Sequence, residues 1–69
     1  MKEFNLEGAE FIPLCDLLKV MDFTSTGGEA KHVIAEGKVK VDGQVELRKR
    51  CKIRSGQVVE YEGKSLKVF

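Results

Sequence analysis

The chain has 69 residues, 42% hydrophobic and 33% charged, which is the composition of one small globular domain and excludes a second, catalytic one. No apolar run approaches the roughly 20 residues of a membrane span. The start Met1-Lys2-Glu3-Phe4-Asn5 lacks the apolar stretch of a secretion signal, so a cytoplasmic protein with no membrane partner is expected. The formal charge is only +1, yet residues 31–54 hold eight of the twelve Lys and Arg against three acids. That segment carries +5 and the remainder −4, a segregation that makes the local positive field polyanions recognise.

The first expected element is a short strand around Phe4 to Leu6. Pro13 suits the first turn of a helix, and Leu14, Leu17, Leu18 and Met21 recur at the spacing of one helix face. A second helix is announced by Thr26-Gly27-Gly28-Glu29, in which the Thr hydroxyl caps the third amide and Glu29 reaches back to the cap. Ala30, Val33 and Ile34 form its apolar stripe, and Gly37 stands where a left-handed residue ends it. The link from Asp22 to Ser25 is short, so the helices should lie side by side.

From Lys38 the period becomes two, with Val39 and Val41 alternating with Lys38 and Lys40 before Asp42-Gly43. A two-residue loop there would pair Val41 with Gln44. A three-residue loop over Asp42, Gly43 and Gln44 pairs Val41 with Val45 and Val39 with Leu47, keeps the apolar face continuous, and is the preferred arrangement. Cys51 and Ile53 suggest a short strand, Ser55-Gly56 a turn, Val58 to Tyr61 a strand, and Glu62-Gly63 a turn into Leu66 and Val68. The expected fold is α+β, one unit over residues 1–69, with two packed helices against a small, mostly antiparallel sheet. Leu14, Leu17, Leu18, Val33, Ile34, Val39 and Val41 should form its core. Cys15 and Cys51, without an export signal, read as free thiols at least partly buried.

The run from Ala30-Lys31-His32-Val33-Ile34 through Gly37-Lys38-Val39-Lys40-Val41-Asp42-Gly43, with Arg48 and Ser55-Gly56-Gln57-Val58-Val59, resembles the RNA-binding domain named after ribosomal small-subunit protein S-four. The resemblance covers about residues 13–61. It implies the alpha-L motif, a domain usually appended to tRNA synthetases, pseudouridine synthases or ribosomal proteins. With Leu14-Cys15-Asp16-Leu17-Leu18-Lys19, Gly27-Gly28-Glu29-Ala30-Lys31 and Val45-Glu46-Leu47-Arg48-Lys49-Arg50 added, the chain resembles the small stand-alone bacterial YbcJ-type members. Many relatives carry an Arg near the start of the second helix, where this chain has Gly27 and Gly28. That contact does not carry over, although free backbone amides there offer a phosphate site.

The candidate RNA contacts are Lys31, Lys38 and Lys40, the dense cluster Arg48, Lys49 and Arg50, the flanking Lys52 and Arg54, and the Gly27-Gly28 backbone. Arg48 and Arg50 are the better candidates for oriented contacts, because a guanidinium forks across two phosphate oxygens. The plainer account of Lys38 and Lys40 is a solvated strand face. His32 reads first as a surface histidine and second as a phosphate contact. No aromatic pair is interleaved with the basic run, so a stacking platform for unpaired bases is not expected, and Phe4, Phe11, Phe23 and Phe69 read as core or edge packing.

Cys15, Cys51 and His32 lack metal-ligand spacing, no acid–base pair or nucleotide-binding loop is present, and neither catalysis nor a cofactor nor a metal is expected. The expected partner is structured RNA (ribosomal RNA, tRNA or a precursor), bound by a monomer, with the ribosome or a protein as a further partner. The leading rival is a protein-interaction adaptor that docks through its acidic residues 1–30. A thiol-redox role for the two cysteines is third.

Overall fold

The computed structural model describes residues 1–69. Its elements are β1 Lys2–Phe4, β2 Ile12–Pro13, α1 Leu14–Val20, α2 Gly27–Ala35, β3 Val39–Val41, β4 Gln44–Val45, β5 Lys52–Ile53, β6 Val58–Tyr61 and β7 Lys64–Val68. Five strands form one sheet in the order β1-β7-β6-β3-β4, and β2 and β5 form a separate two-stranded ribbon. Every pair is antiparallel except β1 with β7. The chain is therefore α+β, with two helices and a mostly antiparallel sheet.

Helix α1 starts one residue later than the sequence suggests. Pro13 is its N-cap, with extended backbone and no side-chain cap, because a prolyl ring has no oxygen to offer. The helix ends in a Schellman closure: Phe23 N donates to Leu18 O at 2.9 Å and Asp22 N to Lys19 O at 3.0 Å, with Asp22 itself left-handed at φ 60°. Helix α2 opens as its sequence indicates, with Thr26 Oγ1 accepting from Glu29 N at 3.0 Å. The Glu29 carboxylate reaches one residue further than expected and accepts from Ser25 N at 2.6 Å. Either amide lies outside the helical ladder, so the carboxylate satisfies an unpaired donor in both arrangements. Gly37, at φ 77°, closes α2 in the same way as Asp22 closes α1, with Lys38 N donating to Val33 O at 3.2 Å.

The apolar stripes of both helices meet the inner face of the sheet. Leu14, Leu17, Leu18, Val33, Ile34, Val39 and Val41 are all buried, joined by Ala30, Ile53, Val59, Tyr61, Leu66 and Val68. Met21 and Phe4 are half-buried at the margin of this core. Both thiols are free, Cys15 buried and Cys51 half-buried.

Two expectations are corrected. The first strand covers Lys2–Phe4, and Leu6 lies beyond it, its amide held by Phe69 O at 2.8 Å. The β3–β4 hairpin uses the two-residue loop, pairing Val41 with Gln44 and Lys40 with Val45. Asp42 and Gly43 both have positive φ, 52° and 83°, the signature of the primed turn whose twist matches that of its strands. Turn geometry thus outweighs apolar continuity. Val45 and Leu47 are left 53% and 59% exposed, both 3.7 Å from where a Cβ on Gly37 would stand.

Removing the Thr26 hydroxyl leaves the Glu29 amide without its acceptor. Thr26→Ala is expected to lower stability by about 1 kcal/mol, read from the midpoint of urea unfolding at an unchanged slope. An unshifted midpoint would show that the cap contributes nothing.

Candidate nucleic-acid interface

Because Pro13 supplies no cap, the first amides of α1 must find acceptors elsewhere. They find them in the basic segment: Leu14 N donates to Cys51 O at 2.9 Å and Cys15 N to Lys49 O at 3.1 Å. Immediately upstream, Ile12 pairs with Ile53 and Pro13 with Lys52. Residues 49–53 are therefore tied by their own backbone to the start of α1, although no regular strand runs through most of them.

This tie sets which side chains share a face. Ile53 is buried and Ile12 packs against the core, so the alternate positions, the exposed Lys52 and Arg54 on one strand and the half-buried Phe11 on the other, share the opposite face. Arg48, Arg50, Cys51 and Lys52 line a cavity of about 480 Å³. An adjoining cavity of about 670 Å³ shares Arg48, Cys51 and Lys52 and extends to Arg54, Gln57, Asp42, Gln44, Val45 and Glu46. Arg48, Arg50, Lys52 and Arg54 thus border one open groove. Lys49 is exposed but does not line it.

The groove cations are not equivalent. Arg48 forks onto Glu46, with Nε 2.9 Å from Oε2 and Nη2 3.1 Å from Oε1, and its own amide donates to Oε2 at 2.9 Å. Those hydrogen bonds from Arg48 hold the Glu46 carboxyl well below the usual carboxylate range, at about 2, and the pairing in turn raises the Arg48 guanidinium. The Cys51 thiol reaches Glu46 Oε1 at 3.5 Å, and burial, followed by the negative charge of Glu46, pushes its pKa up. Arg50, Lys52 and Arg54 have no carboxylate within ion-pair distance. The far wall is braced by an acceptor chain. Asp42 Oδ1 accepts from Val58 N at 3.0 Å and Oδ2 from Gln57 Nε2 at 3.2 Å, while Gln57 Oε1 accepts from Arg54 N at 2.8 Å.

The remaining candidates lie outside this groove. Lys31 and His32 are exposed on α2, and Glu36 takes both His32 Nε2 at 3.3 Å and Lys38 Nζ at 3.2 Å. Lys40 stands across from Glu60 and, with Lys38, borders a separate depression that also contains Glu60 and Glu62. Gly28 is exposed and Gly27 half-buried at the start of α2, where Thr26 occupies the amide of Glu29. The sequence reading missed Phe11, whose ring centroid is 5.1 Å from Lys52 Nζ and 5.7 Å from the Arg54 guanidinium carbon. Its only sequence signal is one aromatic ahead of Ile12-Pro13, which says nothing of a pairing with residues some forty positions away.

The S4 domain model matches residues 4–69, which span both helices, the sheet and the basic segment. The chain belongs to that family. It is 52% identical over 68 residues to the "Putative RNA-binding protein YbcJ" of Escherichia coli K12, covering 99% of this chain and 97% of that one. The solution structure of Escherichia coli YbcJ, described as revealing an alfaL motif involved in RNA-binding, superposes with a TM-score of 0.76 at 51% identity, over 99% of this chain and 86% of that one. The "Probable ribosome maturation protein RlbA" of Bacillus subtilis 168 is 39% identical over 54 residues, 78% of this chain and 76% of its own.

Because the Glu46 pKa is depressed in the folded chain, the folded state binds fewer protons than the unfolded one between the ordinary value of 4.5 and about 2. Its stabilising contribution is therefore complete above pH 4.5 and is lost as the pH falls toward 2. Unfolding midpoints of the parent and of Glu46→Gln, compared across this range, should differ most at neutral pH and converge in acid. A constant difference would disprove the coupling.

Proposed function

We propose that this protein binds structured RNA through its phosphate backbone, as a bacterial cytoplasmic binder and not as a catalyst. The observation that carries this reading is the groove lined by Arg48, Arg50, Lys52 and Arg54, in which three of the four cations have no carboxylate to neutralise them. Long cationic side chains on a backbone-fixed surface are what phosphate recognition requires. The RNA-binding description of YbcJ and the ribosome-maturation description of RlbA support the same reading. Glu46, the most strongly perturbed carboxylate, is held ionised by Arg48 and serves as a strut, which is opposite to the raised pKa of a general acid. The centre of binding moves from Arg48-Lys49-Arg50 toward Arg50, Lys52 and Arg54, while Lys31, Lys38, Lys40, Lys49 and His32 offer outlying charge. The adaptor reading through residues 1–30 gains less, since the large apolar side chains exposed there are Met1 and Val20, apart in the sequence.

A groove without a stacking pair should favour folded RNA. A hairpin and an unstructured strand of equal length, titrated at one salt concentration, are expected to bind unequally with the hairpin tighter. Tighter binding of the unstructured strand would refute the shape reading.

Lys52→Ala should weaken all RNA sequences alike and reduce the slope of log affinity against log salt by up to about one unit. Replacing Arg50, Lys52 and Arg54 together should nearly abolish binding while circular dichroism stays that of the parent. A folded triple variant with unchanged affinity and slope would place the RNA site elsewhere.

A further inference from the structure

Resting on the RNA-binding reading, we infer that Phe11 is a positioning residue for that site: its ring holds Lys52 and Arg54 over the groove without cancelling their charge. The register places it there. Ile12 pairs with Ile53 in an antiparallel ribbon, so the next position outward sets Phe11 beside Arg54, with Lys52 two residues along on the same face. The distances follow, 5.1 Å to Lys52 and 5.7 Å to Arg54 from the ring centroid. Ile53, fully buried between these two cations, fixes the strand from which both project.

The groove shows two ways of fixing a cation. Glu46 fixes Arg48 by a salt bridge, which consumes two of its N–H donors and offsets its charge. An incoming phosphate must then share that guanidinium with a carboxylate. An aromatic face attracts a cation through its quadrupole, carries no net charge and takes up no N–H donor. Lys52 and Arg54 therefore arrive restrained yet still able to meet phosphate with full charge, which lowers the ordering cost of binding. The other rings with cations over them, Phe23 with Lys2 and Lys64 and Phe69 with Lys67, hold lysines that do not line the groove.

The test is a titration of the intact chain with a labelled hairpin RNA at low salt, with circular dichroism on each variant. Phe11→Leu keeps apolar bulk but removes the quadrupole, and affinity should fall about three- to tenfold. Phe11→Tyr should return it to within about twofold. Phe11→Met serves as a second apolar variant should the Leu variant not fold. In a Lys52→Ala/Arg54→Ala background, replacing Phe11 by the folded apolar variant should cause no further loss, because the cations it positions are gone. An apolar variant that binds as the parent does, or an equal loss in both backgrounds, would overturn the positioning role while leaving RNA binding intact. A parent that fails to bind the hairpin would overturn the RNA reading itself, and this role with it.

Discussion

The structure depends on how α1 begins. A helix needs acceptors for its first amides, and Pro13 cannot cap them with a side chain, so the Lys49 and Cys51 carbonyls do so. This one backbone requirement couples the buried helix pair to the most basic stretch of the chain. Without it, residues 48–52 would be an irregular surface loop whose cations had no common direction. With it, their backbone is held at two hydrogen bonds and continued by the Ile12–Ile53 pairing, so that folding of the core also orders the groove.

Within the groove, fixed and free charge are divided between residues. Arg48 is anchored by Glu46, which stays ionised to low pH, and forms a rigid corner. Arg50 projects into the groove without a carboxylate partner, and Lys52 and Arg54 lie against an aromatic ring. If RNA binds in this groove as proposed, its affinity should fall with ionic strength, because release of counterions from the phosphates drives much of such binding.

Local features were legible from the amino acids. Thr26, Glu29 and Gly37 mark both ends of α2 because caps and left-handed closures act within a few residues, and the Leu spacing of α1 names its buried face. The strands from Val58 onward follow from alternation and from Glu62-Gly63. What could not be read was non-local. Two-residue strands such as β2 and β5 have no periodicity to detect, and nothing in Phe11-Ile12-Pro13 predicts its partner. The hairpin takes the shorter loop because the left-handed preference of Asp42-Gly43 overrides the apolar continuity of Val39, Val41, Val45 and Leu47. The candidate site was legible as a charge excess. Its division into groove and outlying cations required knowing which carbonyls cap α1.

Asp42 has a double task with a consequence for its neighbours. Its backbone makes the left-handed turn, and its two carboxylate oxygens accept from Val58 N and from Gln57 Nε2, leaving Gln57 Oε1 free to hold the amide of Arg54. Asparagine tolerates the same φ and would serve the turn equally well. Its carboxamide, however, has one acceptor and one donor. With its oxygen kept on Val58, the NH₂ would face Gln57, whose own amide would have to reverse and abandon Arg54. Aspartate and asparagine are thus synonymous for the hairpin and opposite for the groove, so a substitution invisible to the fold would loosen the strand that carries Arg54.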